Sequence, residues 1–248
     1  MTSSKAKTYE YELNPILFST PMVEAIICGL KIETRRIVKL HPHNPIDETC
    51  DPNIEVDSFA NGYLNLSYGG TSLVPMRFAP VKSPYGKAGD YLWVRETWAT
   101  HKSLDNVRPS EIEFNNGSWP KVWYKAGDLA TGYHNQLLRG KNRPSIFMPR
   151  WASRIKLLNI DVRVERLQDI DTLGALSEGI KLMPNGNWRD YLAEDAKTSD
   201  HYENPIDSFR SLWDSINAAR GVSWNDNPLV WVVEFALSSY LTITRGGK

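Results

Sequence analysis

Alternating and continuous apolar runs along the chain predict that strands make up most of its regular structure. The predicted strands cover residues 13–19, 32–38, 63–67, 74–78, 91–96, 122–125 and 229–237, and residues 153–167 predict one long strand or a hairpin. Because the predicted helices are few and short, we expect an α+β domain built on a mixed or antiparallel, barrel-like sheet.

Three helices are predicted from end signals and apolar spacing. A Thr-Pro pair at residues 20–21 and the stop signal Gly29 predict a helix of about two turns. Asp171 and Gly179 bracket a second short helix in the same way. Residues 205–217 carry apolar side chains at helical spacing, which predicts an amphipathic helix that faces the core.

Two stretches of the chain are loop-rich. Residues 41–88 and 99–145 contain many Pro, Gly, Asn and Ser residues, which predicts surface insertions with little regular structure. No internal repeat or sharp change of composition marks a boundary between domains. We therefore expect one domain over residues 1–248, with short flanking helices and two long insertions.

The composition is that of an ordinary globular protein, with 41% hydrophobic and 23% charged residues among 248. Two cysteines, Cys28 and Cys50, are too few for a disulfide framework and indicate a reducing compartment. No apolar run approaches the ~18 residues that a membrane span needs. We expect a cytoplasmic protein without a membrane partner, and its oligomeric state stays open.

The charges sum to zero, with 29 Lys and Arg against 29 Asp and Glu, which removes a basic excess as an argument for nucleic-acid binding. They are unevenly distributed, however. Lys31, Arg35, Arg36 and Lys39 lie close together around a single Glu33. This cluster predicts a local patch for phosphate, and a solvated strand face is the alternative.

Common phosphate-binding and zinc-binding motifs are missing from the sequence, which contains no Walker loop, no GxGxxG after a strand, no CxxC pair and no HExxH. His41, His43 and Cys50 could form a metal site only with a fourth ligand, which no usual spacing supplies. We therefore expect neither a metal nor a cofactor.

Four phrases follow one another in a definite order: GLKIETRR (29–36), GDYLWVRETW (89–98), ALSEG (175–179) and SWNDNPLVWVVEF (223–235). In this order they resemble the ASCH domain of the PUA-like superfamily, in particular the larger versions of tailed bacteriophages and prophages. The two insertions match nothing in the minimal domain. The resemblance implies a small mixed β-barrel with helices at its ends, a cleft for RNA, a nucleotide or a modified base, and a bacterial host cell as location.

One branch of small ASCH proteins hydrolyses the amide of 4-N-acetylcytidine with a lysine, a threonine and a glutamate. Its G-x-K-x-x-T-x-R stretch places the lysine and threonine at Lys31 and Thr34, and its helix glutamate falls on Glu178. The resemblance thus implies a metal-independent amidohydrolase with these three catalytic residues. The alternative for each is structural: a lysine after a helix end, a strand threonine and a surface glutamate.

Amide hydrolysis needs a nucleophile, a base and an acid. The Thr34 hydroxyl would attack, and Lys31 must be neutral to accept its proton, which requires a lowered pKa. A protonated Glu178 would donate to the departing cytosine nitrogen. Since Lys31 and Thr34 differ by three positions, they would face opposite sides of one strand, so Lys31 must lie in the turn after Gly29.

Five further residues are candidate contacts for substrate or nucleic acid. Arg35, Arg36 and Arg154 could bind phosphate or a base edge, and Trp98 and Trp151 could stack on a base. The predicted partner is a modified nucleoside or a single-stranded nucleic acid such as RNA. We predict hydrolysis of an N-acylated cytosine nucleoside or a related base. The alternatives are a non-catalytic RNA-binding or single-strand-binding module, and a protein-interaction surface on the insertions.

Overall fold

A computed structural model of the chain describes residues 11–40, 50–68, 76–114, 118–127, 137–193 and 202–240. The strands are β1 (Leu13–Leu17), β2 (Glu33–Ile37), β3 (Ile54–Ala60), β4 (Tyr63–Tyr68), β5 (Met76–Arg77), β6 (Val81–Lys82), β7 (Tyr91–Arg95), β8 (Trp98–Ala99), β9 (Trp123–Tyr124), β10 (Ile155–Arg166) and β11 (Leu229–Tyr240). The principal α-helices are α1 (Thr20–Ile27), α2 (Thr172–Ser177) and α3 (Pro205–Asn217).

A five-stranded mixed sheet forms the centre of the fold. Its strand order is β1-β7-β10-β11-β2, in which β1 runs parallel to β7 and the other neighbours are antiparallel. The α+β class and the mixed sheet are therefore confirmed. β10 is one long strand and not a hairpin, because it pairs with β11 from end to end with two irregularities in register.

The sheet brings its two edge strands near each other. β1 and β2 are the edges among the described strands, and the Arg36 guanidinium on β2 donates to the Leu17 carbonyl on β1 over 2.6 Å. The same guanidinium lies 5.2 Å from the centre of the Phe18 ring. Backbone pairing within the described strands leaves the sheet open between β1 and β2, and a side chain spans the opening.

Helix α1 connects these two edge strands. Its proline, Pro21, lies in the first turn, where a missing N–H costs little, and Val23 and Ile26 are buried against the sheet. Gly29 follows the helix with φ of +71°, the left-handed conformation that glycine adopts most readily. The predicted start, buried face and stop of this helix are confirmed.

The first predicted insertion contributes to the core. Its described part contains β3 to β6, a second antiparallel sheet with the order β3-β4-β5 in which β6 also pairs with β4. Ile54, Leu64 and Leu66 of this sheet belong to the same buried cluster as Trp231 of β11. This differs from the expected surface insertion, because the apolar side chains of β3 and β4 pack inward.

The second predicted insertion shares a small, separate core with the residues on either side of it. β8 pairs with β9, and Trp98, Ile112, Met148 and Ala152 form a separate buried cluster. Most of the other described residues between positions 99 and 145 are turns and irregular segments, as expected. Within the described ranges, no helix has both the length and the apolar character that a membrane span requires.

Candidate active site

The turn between α1 and β2 positions Lys31. The backbone N–H groups of Leu30 and Lys31 both donate to the Ala25 carbonyl, over 2.8 and 3.1 Å, which closes the end of the helix. β2 begins only at Glu33, so Lys31 lies in the turn before the strand, as the three-residue spacing predicted. Its side chain is fully buried.

Three oxygens surround the Lys31 amino group. Nζ donates to the Glu33 carbonyl over 2.9 Å, to the Glu178 carbonyl over 2.8 Å and to Glu178 Oε2 over 2.6 Å. These three acceptors match the three N–H bonds of an ammonium group. The resting arrangement is therefore a buried ion pair between Lys31 and Glu178.

Glu178 reaches this position because it caps the C-terminus of α2. Asp171 is the N-cap of this helix, and its side chain accepts a hydrogen bond from the Gly174 N–H over 2.7 Å. At the other end, the Ile32 N–H donates to the Ser177 carbonyl over 2.9 Å. The second carboxylate oxygen of Glu178, Oε1, accepts from the Arg35 N–H over 2.6 Å. Residues 147 positions apart in sequence thus share one buried site.

Further charged groups surround the pair, of which Glu33 and Arg35 are buried and Arg163 and Glu165 are partly exposed. Arg35 Nη1 lies 2.6 Å from Glu33 Oε1 and 3.5 Å from Glu178 Oε1. Arg163 Nη2 lies 2.9 Å from Glu33 Oε2, and its Nε lies 2.5 Å from Glu165 Oε1. Acidic and basic groups alternate through this network, which fixes the position of Glu178 by several contacts.

Burial lowers the pKa of Lys31, because removal from water disfavours the ammonium form. The positive charges of Arg36 and Arg35 lower it further, whereas Glu178 opposes the shift through its charge and its hydrogen bond. The direction agrees with the expected requirement for a neutral amine. The short Nζ to Oε2 hydrogen bond offers a path along which one proton can pass between the two groups.

A cleft of about 190 Å³ opens on the other side of Glu178. Thr34 and Glu178 both line it, and Lys31 lies beneath them in the interior. Thr34 is 2% exposed, and its side chain makes no hydrogen bond to another described residue. The structure therefore places Thr34 and Glu178 on one cleft and Lys31 in contact with Glu178, while the three acceptors of Lys31 Nζ do not include the Thr34 hydroxyl.

Basic and aromatic side chains form much of the cleft wall. The basic residues are Arg35, Arg36, Lys39 and Arg220, and the aromatic residues are Tyr85, Phe209 and Trp213. Among the expected binding residues, Arg35 and Arg36 are therefore at the cleft. Lys39 also belongs to the basic cluster that the sequence predicted. Tyr85, Phe209, Trp213 and Arg220 were not predicted for this site, since they come from the loop before β7, from α3 and from the turn after it, and no local pattern links these segments.

The structure does not bring Trp98, Trp151 and Arg154 to the cleft. Trp98 is completely buried in the core of the second insertion, so it has no free face for a base, and Trp151 stacks in parallel on Trp119 with 4.6 Å between ring centres. Arg154 forms two hydrogen bonds to Glu96, over 2.9 and 3.0 Å. These three residues hold the second insertion together and to the main sheet.

Nothing in the described ranges groups three or more His, Cys, Asp or Glu side chains in a way that could hold a metal ion. His41 and His43 lie outside those ranges. Comparison of the chain with protein-family models, with curated proteins and with solved structures finds no match in any of the three. The site itself is therefore the basis for a functional assignment.

Proposed function

We propose that the protein is a metal-independent amidohydrolase that removes the acyl group from an N-acylated cytosine nucleoside or a related modified base. The observation that carries the proposal is the buried Lys31 and Glu178 pair, with 2.6 Å between Nζ and Oε2, placed beside Thr34 at a small cleft. In the same proposal the fold is a PUA-like barrel of the ASCH type, of phage or prophage kind. The mixed sheet, whose edges approach each other at Arg36, supports that part.

The reaction begins with proton transfer from Lys31 Nζ to Glu178 Oε2, which produces a neutral amine and a neutral acid together. The Thr34 hydroxyl attacks the acyl carbon and gives its proton to Lys31. Glu178 then donates its proton to the exocyclic nitrogen as the amide bond breaks. The products of this half are the free cytosine amine and an acyl ester on Thr34.

Water completes the cycle. It attacks the Thr34 ester and gives one proton to the Glu178 carboxylate, which passes that proton to the Thr34 oxygen as the acyl group leaves as a carboxylic acid. Glu178 is then again a carboxylate beside the Lys31 ammonium group. The buried charges around Glu33 and Arg35 do not take part in proton transfer. They keep Glu178 in position between Lys31 and the cleft.

The decisive test is release of cytidine from 4-N-acetylcytidine by the purified chain and by Thr34→Val, measured by chromatography. The replacement keeps the shape of a β-branched side chain and removes the nucleophile, so we expect turnover to fall at least about 100-fold. Thr100→Val is the matched control, because Thr100 is also buried and lies in the unrelated segment after β8. Equal turnover by wild type and Thr34→Val would show that Thr34 is not the nucleophile.

A non-catalytic module that binds single-stranded RNA is the second candidate. It is favoured by the four basic side chains at the cleft, of which only Arg35 has a carboxylate partner among the described residues. Binding that neutralises several phosphates weakens steeply with salt, whereas hydrolysis of a nucleoside does not depend on salt in this way. No turnover together with tight, salt-sensitive RNA binding would replace the first proposal by this one.

A further inference from the structure

The charges at the cleft are not balanced. Four basic side chains and one carboxylate, Glu178, line it, which gives a formal charge of +3. Glu178 is already paired with Lys31, and Arg35 is paired with Glu33 and with Glu165 at 2.6 and 3.5 Å. The excess therefore belongs to the remaining three groups, Arg36, Lys39 and Arg220.

These three residues have no carboxylate partner within the part of the chain that the structure describes. Lys39 follows β2, and Arg220 ends the turn after α3, so two separate segments bring positive charge to one opening. Cations that repel one another at a cleft are stabilised when an anion binds between them. The arrangement thus favours an anionic ligand.

Arg36 is already held in place for such a ligand. Its Nη2 donates to the Leu17 carbonyl, which is neutral and leaves the positive charge uncompensated. Its guanidinium lies against the Phe18 ring, and its Nε is buried without a hydrogen-bond partner. A buried unsatisfied donor is costly and adds to the cost of this uncompensated positive charge, which an anion in the cleft would offset.

The size of the cleft limits the ligand. About 190 Å³ is below the range of roughly 300–1,000 Å³ that is typical of pockets for drug-sized molecules. A polymer would need a groove that continues along several nucleotides. The cleft therefore encloses about one base, so the ribose and phosphate of a mononucleotide would lie at its opening, and it does not accommodate a strand of RNA.

We propose that the substrate is a mononucleotide, an acylated cytidine with a phosphate monoester on its ribose, and that Arg36, Lys39 and Arg220 bind this phosphate. The identity of the acylated base rests on the proposed function, whereas the phosphate site rests on the unpaired cations alone. The phosphate stays intact in the reaction and serves only for binding.

The test compares 4-N-acetylcytidine with its 5′-monophosphate as substrates. We expect kcat/KM to be at least about tenfold higher for the monophosphate, the factor that 1.4 kcal/mol of additional binding gives. In Arg220→Gln and Lys39→Gln this preference should shrink by a similar factor. Arg108→Gln is the control, because Arg108 is an exposed arginine in the second insertion and does not line the cleft. This variant should keep the preference for the monophosphate.

A binding measurement separates this inference from the proposed function. Calorimetry with cytidine 5′-monophosphate and cytidine requires no turnover, and the monophosphate should bind more tightly to wild type than to Arg220→Gln. If neither substrate is hydrolysed but this difference is seen, the phosphate site stands and the hydrolysis fails. Equal kcat/KM for both substrates would overturn the phosphate site and leave the hydrolysis intact. If a single-stranded RNA binds more than tenfold more tightly than the monophosphate, the proposal that the substrate is a mononucleotide is overturned.

Discussion

The proposed chemistry depends on whether Lys31 can lose a proton while it stays buried. Burial and two neighbouring guanidinium groups lower its pKa, so the neutral amine is populated at lower pH than for an exposed lysine. Glu178 acts against this shift, and in the proposed mechanism it also accepts the proton that must leave Lys31. The proposal therefore assigns two effects to Glu178: it favours the charged form of Lys31 in the resting state and receives the proton in the first step.

Replacement of Lys31 by arginine should abolish turnover although the positive charge stays. An arginine side chain does not deprotonate in proteins and so cannot act as the base. We expect activity on 4-N-acetylcytidine to fall at least about 100-fold, with a far-UV circular dichroism spectrum like that of wild type. Lys82→Arg, at an exposed lysine paired with Glu12, is the control. Retention of more than a tenth of the activity in Lys31→Arg would argue against a base at this position.

The pH dependence of the wild-type protein provides a related prediction. The proposed reaction needs the one proton that Lys31 and Glu178 share, and the pair loses this proton to solvent as pH rises through the lowered pKa of Lys31. We expect kcat/KM to fall with rising pH and to have left its plateau before pH 10.5, as measured on intact protein at constant ionic strength. A plateau that extends beyond pH 10.5 would contradict the lowered pKa.

Gly179→Ala should destabilise the protein more than Gly29→Ala. The two glycines have φ of +78° and +71°, so each replacement costs about 1–2 kcal/mol for the left-handed conformation. At Gly179 the added Cβ would also lie 2.8 Å from Lys31 Cβ, whereas at Gly29 it meets no described atom within 4 Å. We expect an additional loss of about 1–3 kcal/mol at Gly179 in urea unfolding. Equal losses would show that the turn shifts freely and does not hold Lys31 tightly.

At the scale of elements, α2 matters because its C-terminus carries Glu178. The helix has six residues, and helices this short are not stable alone. Its start is fixed by Asp171 and its end by the hydrogen bond from Ile32 to Ser177. A change at the start of α2 should therefore reach the carboxylate at its end.

Asp171→Ala should lower both stability and activity. Loss of the N-cap costs about 1 kcal/mol, and Glu178 is then held less firmly against Lys31. We expect a lower Tm and a reduced kcat on 4-N-acetylcytidine, both restored by Asp171→Ser, because serine is also a good N-cap. A stability loss without any change in kcat would show that the rest of the network positions Glu178 by itself.

Local sequence signals were sufficient to predict the helices whose ends are marked by a proline or a capping residue. α3 has the predicted bounds because a proline starts it and its apolar spacing continues to Asn217, and α2 begins after the predicted cap Asp171. β3 was not predicted, since its pattern of buried and exposed residues contains only one fully buried side chain, Ile54. Its place depends on pairing with β4, which no local rule provides.

The site was predictable only in part. The spacing of Lys31 and Thr34 predicted that Lys31 lies in the turn before β2. That Lys31 lies near Glu178 was predicted only from the family resemblance. The partners Arg163 and Glu165 join the network through the pairing of β10, β11 and β2. Arg220 reaches the cleft through the packing of α3. Such contacts depend on the register and packing of distant segments, which periodicity does not encode.

At the scale of the whole molecule, the second sheet and the cleft are connected. The Ser83 N–H donates to the Gly62 carbonyl over 2.8 Å, and Asn159 Nδ2 of β10 donates to the Tyr85 carbonyl over 2.6 Å. Tyr85 lines the cleft. The loop that leaves the second sheet is thus bonded to the β3–β4 turn at Ser83 and to β10 of the main sheet at Tyr85.

Leu64→Ala should destabilise the entire protein and not only the second sheet. Leu64 is completely buried in the cluster shared by the two sheets, and Phe59 of β3 lies 5.5 Å from the Trp231 ring of β11. A cavity at such a position costs about 2–5 kcal/mol. We expect one thermal transition, shifted to lower temperature by the same amount in tryptophan fluorescence and in far-UV circular dichroism. Activity should be lost in the same transition, because the unfolding of the second sheet releases the Tyr85 loop.

Leu182→Ala is the control, since Leu182 is 54% exposed and its truncation should change stability by less than about 0.5 kcal/mol. Two separate transitions, with only the first shifted by Leu64→Ala, would instead mark residues 50–88 as an independent unit added to the main sheet.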